Sequence, residues 1–324
     1  MSFPISVIVP SFNQGQYIEQ TISSMTSIST EVLVFDGKST DQTTTILRRL
    51  DDQLAHWISE PDQGQSHAIN KGLNKATGKI INWINSDDYL EPGALEAIES
   101  AFKDEAVNVF IGKSNIVKDG KIVAQSRGTD IYKGNLAKTI GRARIDQPET
   151  WWRKSVIDEI GPLNQALHYT MDRDWWIKYL LRFGMSGIKK ENVVLANFRL
   201  HGESKTVSQS DAFKVERNSY YRSLAKEYGL VSQAKELSGI ADFLPLTNMP
   251  AQVDLQLLRK AFSYFYLLLA DEAYVKGDHR SVRYFLDTLD KKILSTDDYA
   301  FYDKLAFRSK LPSTLIKLAR KIKP

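Results

Sequence analysis

The sequence predicts an α/β protein: a Rossmann-like, mostly parallel sheet covered by helices on both faces, followed by a smaller α-helical region. Three observations predict it. Over the first 112 residues, five β-rich runs alternate with four segments that carry apolar residues at helical spacing, the pattern of βαβ units. Past residue 112 the alternation gives way to a hairpin and isolated strands, and from about residue 210 the pattern is wholly helical. At 324 residues the chain is long for one domain and suits two. The expected division is 1–235 for the α/β unit and 236–324 for the helical region.

Taken in order, ISVIVP (5–10), EVLVF (31–35), HWIS (56–59), KIINWI (79–84) and VNVFIG (107–112) are runs of the kind that form buried strands. Between them, 16–25, 41–50, 66–76 and 93–102 carry helical spacing, with Tyr17, Ile18, Ile22 and Met25 as one example. Ser39 or Thr40 is placed to cap the second helix, and Pro92-Gly93 punctuates the start of the fourth. Asp119-Gly120, inside NIVKDGKIVAQ, is a favoured two-residue hairpin turn. ETWWRK (149–154) reads as a strand, DRDWWIKYLLRF (172–183) as a helix stopped by Gly184, and NVVLANFRLH (192–201) as a strand. LQLLRKAFSYFYLLLADEAYVKGD (255–278) and the following RSVRYFLDTLD read as packed helices.

Composition excludes several chemistries. There is no cysteine, which removes disulfides, thiolate metal centres, Fe–S clusters and a cysteine nucleophile together. MSFPISVIVPSFN lacks the basic region and apolar run of a signal peptide. No stretch of about 18 apolar residues offers a membrane span, so the expected location is cytoplasmic. The net charge of +4 is concentrated: residues 304–324 hold seven basic and no acidic residues, leaving 36 basic against 39 acidic residues in the rest. The body therefore lacks the footprint of a nucleic-acid-binding protein. Within 311–324, Leu315, Leu318, Ala319 and Ile322 share one helical face, with Lys317, Arg320 and Lys321 opposite. Such a basic amphipathic tail either docks on its own domain or rests on an anionic surface, here the inner face of the cell membrane.

The chemistry concentrates at strand ends. INSDDYL (84–90) ends a strand in Asn85 and Ser86 and follows it with adjacent carboxylates, Asp87 and Asp88. Ligands of open parallel sheets bind just beyond the carboxyl ends of the strands. Two carboxylates there suit a hard cation, Mn²⁺ or Mg²⁺, shared with substrate phosphates; a solvated Asp-Asp turn is the bland alternative. Asp36 follows the second strand, and Pro10-Ser11-Phe12-Asn13 follows the first. EPDQGQSHAINKG (60–72) adds a glycine loop entering a helix, where backbone N–H groups and Lys71 could face an anion.

In this order and spacing, VIVPSFNQGQYIEQTISS, VFDGKSTDQT, DQGQSHAINKG and NSDD resemble family 2 glycosyltransferases. The resemblance continues through QPETWWRKSVIDEIGPLN (147–164), YTMDRDWWIKYL (169–180) and RLHGESKT (199–206), and covers residues 3–230. It implies a GT-A fold, a nucleotide-sugar donor (UDP by family frequency), a divalent cation, and inverting transfer to a glycan or lipid-linked glycan in bacterial cell-surface polysaccharide synthesis. Carried over, Asp36 resembles the carboxylate contacting the donor's base, and Pro10, Ser11 and Asn13 the loop bordering the nucleotide. Ser86 and Asp87 stand near the ribose, Asp88 on the metal, His201 near metal or diphosphate, and Asp172 in the place of the general base. Two departures stand out. Met171 precedes Asp172 where the family often has Glu, and Gly37 stands where many members have a second Asp.

Transfer without a covalent intermediate needs a carboxylate to accept the acceptor hydroxyl's proton and charge stabilisation for the departing diphosphate. In the first turn of a helix, the dipole favours ionised Asp172 and makes it a weaker base. Asp174, about 200° around the helix, is the alternative base, and only one of the two can face the site. Gln147, Glu149 and Trp151 are candidate acceptor residues. In each of the pairs Trp151-Trp152 and Trp175-Trp176, one ring at most is expected to reach substrate. His56, His67 and His168 lack ligand spacing and receive no role. The competing function is a catalytically inactive nucleotide-sugar-binding or scaffold protein of the same fold, and the joint presence of Asp36, Asp87, Asp88, Asp172 and His201 argues against it.

Overall fold

The structure, a computed structural model, describes residues 4–202 and 209–311. The amphipathic tail expected at 311–324 lies outside the described residues, apart from Leu311. In chain order the elements are β1 (Ile5–Ser11), α1 (Ile18–Ser23), β2 (Thr30–Asp36), α2 (Thr43–Arg49), β3 (His56–Ser59), α3 (Gln65–Lys75), β4 (Ile80–Trp83), β5 (Tyr89–Leu90), α4 (Ala94–Ala101), β6 (Val109–Lys118) and β7 (Lys121–Gln125). There follow α5 (Leu136–Arg142), β8 (Thr150–Arg153), α6 (Lys154–Ile160), α7 (Met171–Phe183), β9 (Ile188–Leu200), α8 (Ser210–Glu227), α9 (Val231–Glu236), α10 (Leu255–Lys276), α11 (His279–Thr288) and α12 (Thr296–Ser309). The α/β class and the helical C-terminal region are both as the sequence predicts.

One sheet runs β3-β2-β1-β4-β8-β6-β9-β5, with β7 paired to β6. β1 to β4 are mutually parallel where they pair, and β8 enters antiparallel between β4 and β6. Register sets the working edge of the sheet. Ser11 lies opposite Asp36 and Asp36 opposite Ser59, so three strands end level along that edge. The hairpin turn is as expected, with Asp119 at φ 50° and Gly120 at φ 73°, both left-handed as a type I′ turn demands. Gly184 stops α7 at φ 64°. The capping expectation for α2 fails. Ser39 instead donates both its N–H and its hydroxyl to Asp36, and Asp41 takes the Thr43 N–H and hydroxyl.

Both faces of the central parallel strands β1, β2 and β4 are buried, as parallel strands require. On β1, Val7 and Val9 join an apolar cluster on one face and Ile8 joins the other. The second cluster runs without a break from Ile8, Trp83 and Trp152 through Trp175 and Tyr179 to Tyr220, Phe262, Phe265 and Leu305. The C-terminal helices thus share their core with the sheet layer. α5 and α10 approach so closely that a Cβ on Gly141 would lie 2.1 Å from the Ala261 carbonyl oxygen. Around that crossing, Asn135 donates to the Tyr264 hydroxyl (2.8 Å) and Lys138 pairs with Asp298 (2.7 Å). Among the described residues no helix is long and apolar enough to cross a membrane.

Candidate active site

A cavity of about 1130 Å³ opens over the carboxyl ends of the central strands. Its first wall is the loop after β1. Pro10, Ser11 and Phe12 line the cavity, while Asn13, at φ 52°, turns away. Asn13 accepts the Thr40 N–H (2.9 Å) and donates its own N–H to Ser39 (2.7 Å). These bonds, with Gly37 N–H to the Ser11 carbonyl (2.8 Å), stitch the first two motifs together. Asp36 is buried, and its carboxylate accepts the Ser39 N–H, the Ser39 hydroxyl and the Ser59 hydroxyl. The adjacent Gly37 lines the cavity in its stead. A Cβ there would lie 2.9 Å from an Asp62 carboxylate oxygen, so a larger residue would require the Asp62 side chain to shift.

The glycine loop places Gly64 and Gln65 on the cavity, and Gln65 donates to Asn85 (2.6 Å). Lys71 does not reach it: the ammonium pairs with Glu60 at 2.6 Å, and the residue is not among those lining the cavity. The division expected within the acidic pair also changes. Asp87 and Ser86 line the cavity, and Asp87 Oδ2 lies 2.9 Å from His201 Nε2. Asp88 turns inward, 1% exposed, with Oδ1 accepting the Arg199 N–H (2.9 Å). Burial, then the neighbouring Asp87 charge, pushes its carboxyl well above the usual range. Arg199 and Thr21 hold this turn and were not singled out by sequence. Arg199 bonds the Asp87 carbonyl, lies over the Tyr17 and Tyr89 rings (5.0 and 4.4 Å) and reaches Gln20 (2.5 Å). The Thr21 hydroxyl meets the carbonyls of Ser86 and Asp88.

The opposite wall comes from the β6–β7 hairpin, the segment before β8 and the start of α7. Asp172 opens onto the cavity from the first turn of α7. Its carboxyl is raised to about 6, by burial first, against the lowering pull of Arg173. This reverses the expectation that the helix dipole would dominate: desolvation disfavours the charged form more than the dipole favours it. Asp174 points into the core, fully buried and paired with Lys178 at 2.6 Å.

Gln147 lines the cavity, with its amide tied to Asn82 (2.8 Å) and to the Trp83 carbonyl (2.7 Å). Glu149 lines it too, with both carboxylate oxygens near the Ser126 hydroxyl, and burial and then Asp146 push it up to about 7. Trp151 does not. It is fully buried in the apolar cluster on the far face, because alternation along β8 sends it there while Trp152 goes to the other face. Trp152, Trp175 and Trp176 pack edge-on in the core, so none of the four rings reaches the cavity. Trp83, His168, Tyr169 and Phe213 do. Only the register of β4 and the end of the loop before α7 could have pointed to the first three.

The sequence comparisons agree with this geometry. Residues 6–161 match the family profile described as "Glycosyl transferase family 2". An uncharacterized glycosyltransferase of Nostoc sp. is 26% identical over 265 residues, 78% of this chain and 79% of that protein. The chondroitin synthase of Escherichia coli is 26% identical over 260 residues, 76% of this chain but 35% of the synthase. In fold, the chain is similar to residues 1–349 of S. aureus TarS, a structure solved with UDP-GlcNAc. That match has a TM-score of 0.58 at 17% identity and covers 90% of this chain and 83% of the other. The GT-A-like sheet, the ordered strand-end motifs and the profile match over residues 6–161 support a family 2 glycosyltransferase.

Proposed function

We propose that the cavity transfers a sugar, with inversion, from a UDP-sugar to a hydroxyl of a growing glycan, with residues 1–235 carrying the chemistry. The observation that carries this reading is the placement of Asp172 in one cavity with Ser11, Ser86 and Asp87. A base held near pKa 6 is mostly ionised at neutral pH and still accepts a proton readily. As the acceptor oxygen attacks the anomeric carbon, Asp172 takes its proton and the carbon–diphosphate bond breaks on the opposite face. Ser11, Gly37, Gly64 and Gln65 shape the nucleotide end, while Gln147 and Glu149 face the acceptor end.

The donor set fits a divalent cation at Asp87 and His201. Asp87 and His201, 2.9 Å apart, offer a carboxylate oxygen and an imidazole nitrogen, donors that would hold such an ion. Among the described residues no three acidic or imidazole groups could hold an ion by themselves, so substrate phosphates and water would have to supply the remaining ligands. When bound, it supplies Lewis-acid stabilisation to the leaving diphosphate. Asp88 supports the turn from beneath. UDP is the nucleotide of choice because the similar fold of S. aureus TarS was solved with UDP-GlcNAc. A glycan acceptor, free or lipid-linked at the membrane surface, follows the relationship to a chondroitin synthase.

The test is hydrolysis and transfer with a panel of UDP-sugars in Mn²⁺ or Mg²⁺. The wild-type chain is expected to release UDP, and Asp172→Asn to lose that turnover while keeping donor affinity. Absence of both binding and turnover across the panel refutes the reading. Binding without turnover would instead favour a nucleotide-sugar-binding scaffold.

A further inference from the structure

Glu216 reaches the catalytic wall from a different element. It lies in α8, buried, with its carboxylate aimed at the segment immediately before α7. Oε2 accepts the His168 N–H (2.8 Å), while Oε1 accepts the N–H groups of Tyr169 (2.8 Å) and Thr170 (2.7 Å) and the Thr170 hydroxyl (2.9 Å). Thr170 is the N-cap of α7 and makes no side-chain cap bond within the helix. Donors around a helix start need outside acceptors, and one carboxylate here serves several of them. The same stretch of α8 adds Phe213, ring to ring with Tyr169 at 5.1 Å, and Gln209, bonded to the Tyr169 hydroxyl at 2.5 Å. The next residue, Arg217, is committed elsewhere, to Glu272 of α10 (2.7 Å).

We propose that Glu216 is a positioning residue for Asp172: by anchoring 168–170 to α8, it fixes where the first turn of α7 enters the cavity. The inference rests on the reading of Asp172 as the base. The same anchor sets the backbone of His168 and Tyr169, both on the cavity. The charged groups beside Asp172 are Arg173 on its own helix and Asp146 from the segment before β8. Neither supplies the anchor that Glu216 gives.

The test compares Glu216→Ala, Glu216→Gln and Arg217→Ala in the full chain, with Asp172→Asn as reference. Four readouts are taken: UDP-sugar hydrolysis in Mn²⁺ against pH, UDP affinity by calorimetry, melting temperature, and amide exchange over 168–174. Glu216→Ala is expected to lower kcat on the order of 10²-fold, the usual cost of a misplaced catalytic group, with UDP affinity unchanged. Its acid limb should move down from about 6, because a loosened first turn admits water to Asp172. Amides 168–174 should exchange faster. Glu216→Gln keeps one acceptor oxygen and should fall between, and it decides alone if the alanine variant does not fold. Arg217→Ala should lower the melting temperature and leave limb and exchange in place. Wild-type exchange and limb in both Glu216 variants overturn the proposal, as does the same limb shift in Arg217→Ala. A fully active Asp172→Asn overturns the base assignment instead. If no UDP-sugar is hydrolysed, amide exchange still decides whether Glu216 anchors this turn.

Discussion

Asp172→Asn tests the electrostatics of the site as well as its chemistry. Burial lifts this carboxyl from its ordinary 3.8 to about 6, so the folded state binds the proton more tightly than the unfolded chain. A raised acid pKa gives stability that is fully present below 3.8 and lost as pH rises through about 6. At roughly 1.4 kcal/mol per tenfold change in proton affinity, ionised Asp172 costs the native state at most about 3 kcal/mol at pH 7.5. Cavity water reaching the half-buried carboxylate screens part of this, which leaves about 1–2 kcal/mol. Asparagine removes the charge and keeps the shape. The variant should therefore be more stable than the wild type by that amount at pH 7.5, with the gap closing as pH falls through 6 toward 4. Urea unfolding of both proteins at several pH values measures it, and the stabilised variant should be the inactive one. A variant no more stable at pH 7.5, or a gap that ignores pH, refutes the claim that the site holds this carboxylate against its solvation.

Three further outcomes are expected. Asp87→Asn should abolish the metal dependence of UDP binding measured by calorimetry, whereas Asp88→Asn, which keeps an oxygen for the Arg199 N–H, should retain it; the reverse result returns the cation to Asp88. Lys178→Met strands Asp174 in the core, where both side chains are fully buried. It should lower the unfolding free energy by about 3–5 kcal/mol, with Asp174→Leu in the same chain restoring most of the loss. Gly141→Ala drives a methyl to 2.1 Å from the Ala261 carbonyl oxygen. It should cost about 1–3 kcal/mol in urea unfolding and leave UDP affinity unchanged, because that crossing lies outside the cavity.

How far the sequence was legible depends on the range of each interaction. Strand ends were visible because β1, β2 and β4 are buried on both faces and break abruptly into polar residues. Once the strands are parallel, their ends fall on one edge. Asp172 was visible for a similar reason, as an acid in the first turn of a periodic helix. What a carboxylate meets after folding was not visible. Lys71 finds Glu60 across its own loop, Arg199 meets the acidic turn from 111 residues away, and Glu216 reaches His168 from 48 residues away. The sign of the Asp172 perturbation depends on how deep the cavity wall is, which helix position does not encode. Trp175 was half legible. Alternation sends one ring inward, but only the assembled core shows it held edge-on between Trp83 and Trp152.

The charge of the cavity ties these observations together. Among the described residues, five carboxylates line it, from Asp62, Asp87, Asp146, Glu149 and Asp172, against one guanidinium, Arg144. A nucleoside diphosphate entering such a space would meet repulsion unless a cation accompanied it, and under the proposed reading Asp87 beside His201 would supply that cation's first ligands. The acceptor end meets a different condition. Glu149, pushed up to about 7 by burial and by Asp146, is partly protonated near neutral pH, and Asp146 is raised as well. That wall can both donate to and accept from sugar hydroxyls, while a carboxylate or phosphate on the acceptor would find, among the described residues lining the cavity, only the Arg144 guanidinium to balance it. Under the proposed reading, acidity at both ends would call for a cation with the donor and would favour uncharged hydroxyl-bearing residues at the acceptor.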